Sequence, residues 1–183
     1  IYDRAHSAIS EITPDMLDAD KALEGAGWLH FTGITPALSE SAALTTLKLV
    51  SAAKEKGMRV SCDLNYRAKL WSRERAREVM SELLRYVDVL ISNEEDCKDV
   101  LGLSAEGSDI TGGHLSAEAY GKLASRVMAM FPNIKYAAFT LRESISASQN
   151  NWSAVLATEK EVHRPKNYPL AILDRAGGRG SLR

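Results

Sequence analysis

An α/β fold, doubly wound around a mostly parallel sheet with helices on both faces, is predicted by three features of this 183-residue sequence. Short apolar runs alternate with stretches of helical period, the pattern of crossover units that lay strands side by side in parallel. Capping residues precede the helical stretches and glycines follow them. Four of the apolar runs end abruptly on polar clusters, as strands do where a sheet edge carries chemistry.

Taken in order, Ile1 to Arg4 reads as a strand remnant whose Tyr2 and Arg4 point the same way, because strand side chains alternate. Thr13-Pro14-Asp15 opens a helix expected to run to about Glu24, with Thr13 as N-cap and Gly25 and Gly27 stopping it. Trp28 to Thr32 reads as a buried strand. Ser39 caps a long helix bearing Ala43, Leu47 and Val50, terminated by Gly57. Met58 to Leu64 is the next strand. Ser72 caps a helix whose Ala76, Val79, Met80, Leu83 and Leu84 share one face.

Val87 to Ser92 is a strand, and Asn93 caps a short helix to Leu101, closed by Gly102. Ser104 to Leu115 is polar, glycine-bearing and without period, so it reads as a surface loop. Ser116 starts another helix with Leu123, Ala124, Val127, Met128 and Phe131 at three- and four-residue steps. Ile134 to Thr140, Trp152 to Ala157 and Leu170 to Leu173 read as strands, the last ones antiparallel because their links are short.

Composition narrows the function classes. Lys plus Arg is 23 and Asp plus Glu is 24, a formal net charge of −1. A general nucleic-acid binder would need a basic excess to hold phosphates, so no nucleic-acid partner is expected. No apolar run approaches the roughly 20 residues of a membrane span, and no membrane partner is expected either. Cys62 and Cys97 are the two cysteines, one in a predicted strand and one in a predicted helix; they read as reduced side chains of a cytoplasmic protein.

The chemistry concentrates after the strands. Gly33-Ile34-Thr35-Pro36 follows the first, Asn65-Tyr66-Arg67 the second, Asn93-Glu94-Glu95-Asp96 the third, and Thr140-Leu141-Arg142-Glu143-Ser144 the fourth. Parallel strands place these on one edge, where they line a single crevice. Arg67 there offers a rigid fork of donors that fits a carboxylate or phosphate. Asn93 and Asp96 can face the crevice and serve Mg²⁺, which prefers oxygen ligands, while Glu94 and Glu95 stay solvated. The bland reading of the same four residues is a helix start, capped by Asn93 with acids complementing the dipole. A phosphate-binding Gly-x-x-x-x-Gly-Lys-Ser/Thr loop is absent, and so is a Gly-x-Gly-x-x-Gly turn. The four histidines have no ligand spacing.

Tyr2-Asp3-Arg4, Gly33-Ile34-Thr35-Pro36-Ala37-Leu38-Ser39 and Asp63-Leu64-Asn65-Tyr66-Arg67 with Leu70-Trp71 resemble the ribokinase-like (PfkB) sugar kinases. Thr140 to Ser148 and Asp174-Arg175-Ala176-Gly177-Gly178 resemble them too, so the likeness spans the chain. Within that family the motifs are most similar to the 2-keto-3-deoxygluconate kinases. The resemblance implies ATP-dependent phosphorylation of the terminal hydroxyl of a sugar acid, with Mg²⁺ and ATP as cofactor and co-substrate. It implies that Tyr2, Arg4, Asn65 and Arg67 bind the sugar acid. Asn93, Arg142, Ser144 and Asp174 would meet the nucleotide and its phosphates, and Asp96 the metal, through water because Asp is one methylene shorter than the family's Glu. Gly177 and Gly178 would be the remnant of an anion hole. The protein it belongs to is expected to be a homo-oligomer.

One departure matters. The family's general-base Asp is expected at the position of Gly180, where it is absent, and Arg179 replaces a glycine. Both ends read as cut. Residues 1–4 would be what remains of a lid strand, with the amino-terminal strands and the carboxy-terminal adenine-binding part missing. A chain so truncated is expected to be inactive. The alternatives are a fructokinase- or ribokinase-like kinase acting on a neutral sugar, and a non-catalytic sugar-acid-binding protein.

Overall fold

A computed structural model describes residues 7–105, 117–146 and 148–171. The chain enters through a 3₁₀ turn, Pro14–Met16, and a short helix α1, Ala19–Ala22. The single helix expected from Thr13 to Glu24 is therefore broken in two. Thr13 makes no side-chain cap; Asp18 caps instead, accepting from the Lys21 N–H. A second capping residue inside the stretch restarts the helix, because Asp competes for backbone donors as well as Thr does. Gly25 closes the segment with φ 70°.

Strand β1 is Trp28–Thr32, and only Phe31 in it is buried, so it is less enclosed than expected. Helix α2, Glu40–Glu55, is capped by Ser39, whose Oγ accepts from the Ala42 N–H. Strand β2 is Arg59–Asp63 and helix α3 is Arg73–Leu83, with Ser72 accepting from the Arg75 N–H. Its Ala76, Val79, Met80 and Leu83 are buried, and so is Leu84 just beyond. Each of the larger ones contributes about 1.5–3 kcal/mol over an exposed position. Strand β3 is Val89–Ser92 and helix α4 is Glu94–Leu101, ended by Gly102 at φ 72°. Helix α5, Ala117–Met130, leads to the long strand β4, Tyr136–Ser144. Strands β5, Gln149–Ala157, β6, Val162–His163, and β7, Tyr168–Ala171, complete the sheet.

The described sheet has seven strands in the order β1-β2-β3-β4-β5-β6, with β7 also pairing to β5. The first four are parallel and the pairings of β5 are antiparallel, as expected for the short links at the end. Each parallel strand is laid down beside its predecessor, always stepping in one direction. Right-handed crossovers then place the intervening helices on one side of the sheet. Of the helices expected on both faces, the described residues carry those of one: α2 to α5 share the face over Phe31, Val60, Cys62, Leu90, Ala137, Phe139 and Val155. The register aligns Trp28 with Arg59, Val89 with Tyr136, and Ala138 with Leu156 on the opposite face. There Trp28, Tyr136, Trp152 and Leu156 are exposed among the described residues.

Candidate active site

Building starts at the end of β2. Asp63 is its last residue, and the Asn65 backbone N–H pulls on its carboxylate. Asn65 sits at φ 41°, the one non-glycine residue at positive φ among the described residues. Asn tolerates this region better than most L-residues because its short amide can bond locally. Here that amide donates to Thr32 Oγ1 at 3.0 Å, tying the turn to the end of β1. The Gly33 N–H donates to the Asp63 carbonyl at 2.8 Å, and a Cβ on Gly33 would stand 2.1 Å from the Leu64 oxygen. The two strand tails are thus pressed together where only glycine fits.

The left-handed step at Asn65 redirects the chain. Tyr66 turns inward, buried, with its hydroxyl donating to the Trp71 carbonyl at 3.2 Å. Arg67 turns outward and is exposed, with Nη1 donating to the Tyr66 carbonyl at 2.8 Å. The guanidinium is held by its own backbone and its positive charge acts on both Asp63 and Asp96. Burial pushes the Asp63 carboxyl above its ordinary range, against the pull of the Asn65 N–H, His30 and Arg67.

At the end of β3, Asn93 and Asp96 bind each other. The Asp96 N–H donates to Asn93 Oδ1 at 2.7 Å, and Asn93 Nδ2 donates to Asp96 Oδ2 at 3.0 Å. Asp96 is only 8% exposed. Its carboxyl is pushed up to about 6, by burial first; Arg67 and the Tyr66 N–H pull it down, while Asp63 and Glu95 push it further up. Glu94 is not solvated as expected. It accepts from Tyr120 Oη at 3.0 Å and from the Ala105 N–H at 3.2 Å, pinning α5 and the chain after α4 to the start of α4.

The fourth polar cluster is not a strand end. β4 begins at Tyr136, two residues later than expected, and continues through Ser144, so Thr140 to Ser144 lie inside the strand. The cause is β5, which starts at Gln149 rather than Trp152 and pairs with β4 along its whole extension. Arg142 opposes Trp152 across the pair, its guanidinium 5.7 Å from the ring, and donates through Nε to Asn150 Oδ1 at 3.1 Å. Thr140 Oγ1 donates to the Ser92 carbonyl at 3.4 Å. Ser92, the last residue of β3, pairs with Phe139, so at about 3.3 Å per strand residue Arg142 stands about 10 Å beyond the end of β3. Ser144 takes part in the β4 ladder opposite Asn150.

Tyr2, Arg4, Asp174, Gly177, Gly178 and Gly180 lie outside the described residues. Of the rest, the fold brings Asn65 and Arg67 beside Asn93 and Asp96 at adjacent strand ends, and sets Arg142 on the neighbouring extension. Thr32 and Asp63 were missed. Their signal was available: each closes a strand on the face that Trp28, His30 and Ser61 share, and that face reaches the crevice edge. A groove of about 620 Å³ lies elsewhere, between α5 and the β5–β6 turn at the amino end of β4, away from this chemistry.

Mg²⁺ fits these residues poorly as a directly ligated ion. Among the described residues no group of three or more His, Cys, Asp or Glu side chains could hold a metal. The one buried carboxylate at hand, Asp96, accepts from Asn93 Nδ2 and feels the charge of Arg67. No helix among the described residues is long and apolar enough to cross a membrane.

The family model for pfkB family carbohydrate kinases matches residues 4–122. This chain belongs to that family. A 2-dehydro-3-deoxygalactonokinase of Haloferax volcanii is 44% identical over 106 residues, covering 58% of this chain and 33% of that protein. A 2-dehydro-3-deoxygluconokinase of Thermoproteus tenax is 37% identical over 105 residues, covering 56% and 31%. The crystal structure of 2-dehydro-3-deoxygluconokinase from Thermotoga maritima superposes with a TM-score of 0.87 at 48% identity, over 95% of this chain and 51% of that one. This pfkB chain thus spans about half the length of that solved structure, and its matches cover about a third of the two curated relatives. The predicted mostly parallel α/β sheet is the fold these kinases share.

Proposed function

We propose that the protein to which this sequence belongs transfers the γ-phosphoryl group of ATP to the terminal hydroxyl of a 2-keto-3-deoxy sugar acid, and that this chain supplies the sugar-acid side of the site. The observation that carries the reading is Arg67: an exposed guanidinium just after the end of β2, following a left-handed Asn65. A neutral sugar needs no such group, while a carboxylate matches its fork. Relatives named for 2-dehydro-3-deoxygluconate and 2-dehydro-3-deoxygalactonate support the same substrate class.

In this reading Arg67 pairs with the substrate carboxylate and Asn65 binds the sugar chain, with Tyr2 and Arg4 completing the anion site. Arg142 and Asn93, with Ser144 and Asp174, meet the phosphates of Mg-ATP, so that Mg²⁺ enters with the co-substrate. The acceptor oxygen attacks the γ-phosphorus in line, the bond to the β-phosphate oxygen breaks, and ADP leaves. The hydroxyl proton needs a base, and Gly180 stands where the family resemblance places one. We therefore expect this chain to bind the sugar acid without turning it over, since loss of a general base removes about 10²–10⁴ in rate. Gly177 and Gly178 would offer backbone N–H groups to the transferring phosphoryl group. The two buried, reduced cysteines support a cytoplasmic setting.

Isothermal titration of the chain with 2-keto-3-deoxygluconate, 2-keto-3-deoxygalactonate, fructose and ribose tests the reading. Heat from the acids and none from the neutral sugars is expected. Binding of fructose or ribose with equal or greater affinity would replace it with a neutral-sugar kinase.

A further inference from the structure

Arg142 is exposed, yet two residues of β5 hold its guanidinium from different sides. In the antiparallel pair Arg142 stands opposite Trp152, and Ser144 stands opposite Asn150. Period two therefore puts Trp152 and Asn150 on the same face of β5. One lies directly across from Arg142 and the other diagonal to it, both within reach of a long side chain. Arg142 Nε donates to Asn150 Oδ1 at 3.1 Å. The guanidinium carbon lies over the Trp152 ring, 5.7 Å from its centre, in cation–π contact. Asn150 is 1% exposed, so the acceptor is a buried amide, while Trp152 is 39% exposed and forms an open shelf.

A guanidinium grips a two-oxygen anion either side-on, through Nε and one Nη, or end-on, through Nη1 and Nη2. Asn150 takes Nε, which leaves the end-on mode. Among the described residues Nη1 and Nη2 make no hydrogen bond or ion pair. We infer that Asn150 and Trp152 are positioning residues: the amide and the indole hold the Arg142 fork so that its Nη1–Nη2 end meets the phosphate oxygens of the nucleotide. The identity of the anion rests on the reading of Arg142 as a phosphate-facing group; the holding does not. The physical reason is ordering. A free arginine side chain loses rotamer freedom when it binds an anion, and one already fixed at Nε and stacked on a ring loses less. Strand β5 thus contributes to the crevice through a residue of its neighbour.

The test uses this chain with Asn150→Ala, Trp152→Leu and Trp152→Phe, each also made together with Arg142→Ala and checked for folding by circular dichroism. Nitrogen-edited NMR follows exchange of the Arg142 Nε–H with water, the signal being identified by its loss in Arg142→Ala. Calorimetry at fixed ionic strength gives the affinity for inorganic tripolyphosphate. Asn150→Ala is expected to speed Nε–H exchange at least tenfold and to weaken tripolyphosphate about tenfold, the loss of one hydrogen bond to a charged group. Trp152→Leu is expected to weaken it about threefold, and Trp152→Phe, which keeps an aromatic face, less. Once Arg142 is alanine, none of the three should cost anything further, because a residue acting only through Arg142 has nothing left to hold. The Trp152 variants carry the test if Asn150→Ala does not fold. Unchanged Nε–H exchange in Asn150→Ala would overturn the inference, and so would losses that add to that of Arg142→Ala. If the unsubstituted chain binds no tripolyphosphate, the phosphate reading of Arg142 fails, while the exchange arm still decides the holding.

Discussion

Gly33 and Leu64 meet more closely than any side chain allows: a Cβ on Gly33 would lie 2.1 Å from the Leu64 carbonyl oxygen. The neighbour is backbone, held in place by the Leu64 N–H bond to Ile91, so it cannot step aside cheaply. Gly33→Ala is expected to cost about 3 kcal/mol, the range of overpacking in a tight interior. Urea denaturation should show it as a lower midpoint with unchanged slope, and heating as a Tm lowered by roughly 6–12 °C. A Tm within 2 °C of the unsubstituted chain would refute it.

Asn65 combines a left-handed backbone with a side-chain bond to Thr32. Replacing it by Gly removes the bond but relieves the backbone; replacing it by Ala removes the bond and adds the left-handed penalty of about 1–2 kcal/mol. Asn65→Ala is therefore expected to be the less stable of the two by about 1 kcal/mol. Equal stabilities, or the reverse order, would contradict this account of the turn.

Arg67 has little to do with stability. It is exposed and bonded to its own backbone, so Arg67→Ala should change stability by less than about 0.5 kcal/mol. Sugar-acid affinity is expected to fall about 10- to 100-fold. Arg67→Lys keeps the charge but not the fork, and should recover only part of the loss. Calorimetric titration of the three chains provides the comparison, and full affinity in Arg67→Ala would remove this residue from the site.

The Asp96 carboxyl predicts a pH dependence with a definite sign. Its folded value of about 6 lies above the ordinary carboxylate value, so between about 4 and 6 the folded chain binds more protons than the unfolded one. Stability from this group is then full below about 4 and is lost as pH rises through about 6. Asp63, raised in the same direction, adds to it. The stability of the unsubstituted chain relative to Asp96→Asn should increase as pH falls from 7 to 4. A difference that stays flat over this range would show that Asp96 titrates as an ordinary exposed acid.

Cys62 and Cys97 are both fully buried, and burial raises both thiols, Cys97 to about 12 and Cys62 well above its ordinary value. Neither should react with a disulfide reagent at pH 8 until the chain opens. Stopped labelling in graded urea should then follow unfolding. Rapid modification of either thiol in the native chain would contradict the packing.

Much of this molecule was legible in its sequence where the deciding partners are close along the chain. Ser39, Ser72 and Asn93 cap the helices they were expected to cap, and Gly57 and Gly102 take the positive φ that ends a helix. Failures came where two local signals compete or where a distant residue decides. The helix after Thr13 broke because Asp18 could cap as well, a local competition that propensity does not rank. Strand β4 ran on through Arg142 because β5 was there to pair with it, and the two-residue β6 is too short to carry a period. Glu94 read as a solvated acid because its partners, Tyr120 and Ala105, lie 26 and 11 residues away. At the candidate site the residue types were visible; the left-handed Asn65 and its bond to Thr32 were not.

The sheet adds its strands in the order in which the chain is made, from β1 through β6. Each new parallel strand finds its edge already waiting on the strand before it, separated by one crossover, or by two helices before β4. A ribosome releasing this chain at about 5–20 residues per second would thus present an assembling surface rather than a set of strands awaiting distant mates. Among the described strands the pairing that closes last is β7 onto the far half of β5, after the polypeptide has reversed direction twice. Force-sensing on arrested nascent chains would locate these steps: tension appearing as β2 emerges and again as β3 emerges marks growth by accretion, and a single late event after β5 marks cooperative collapse.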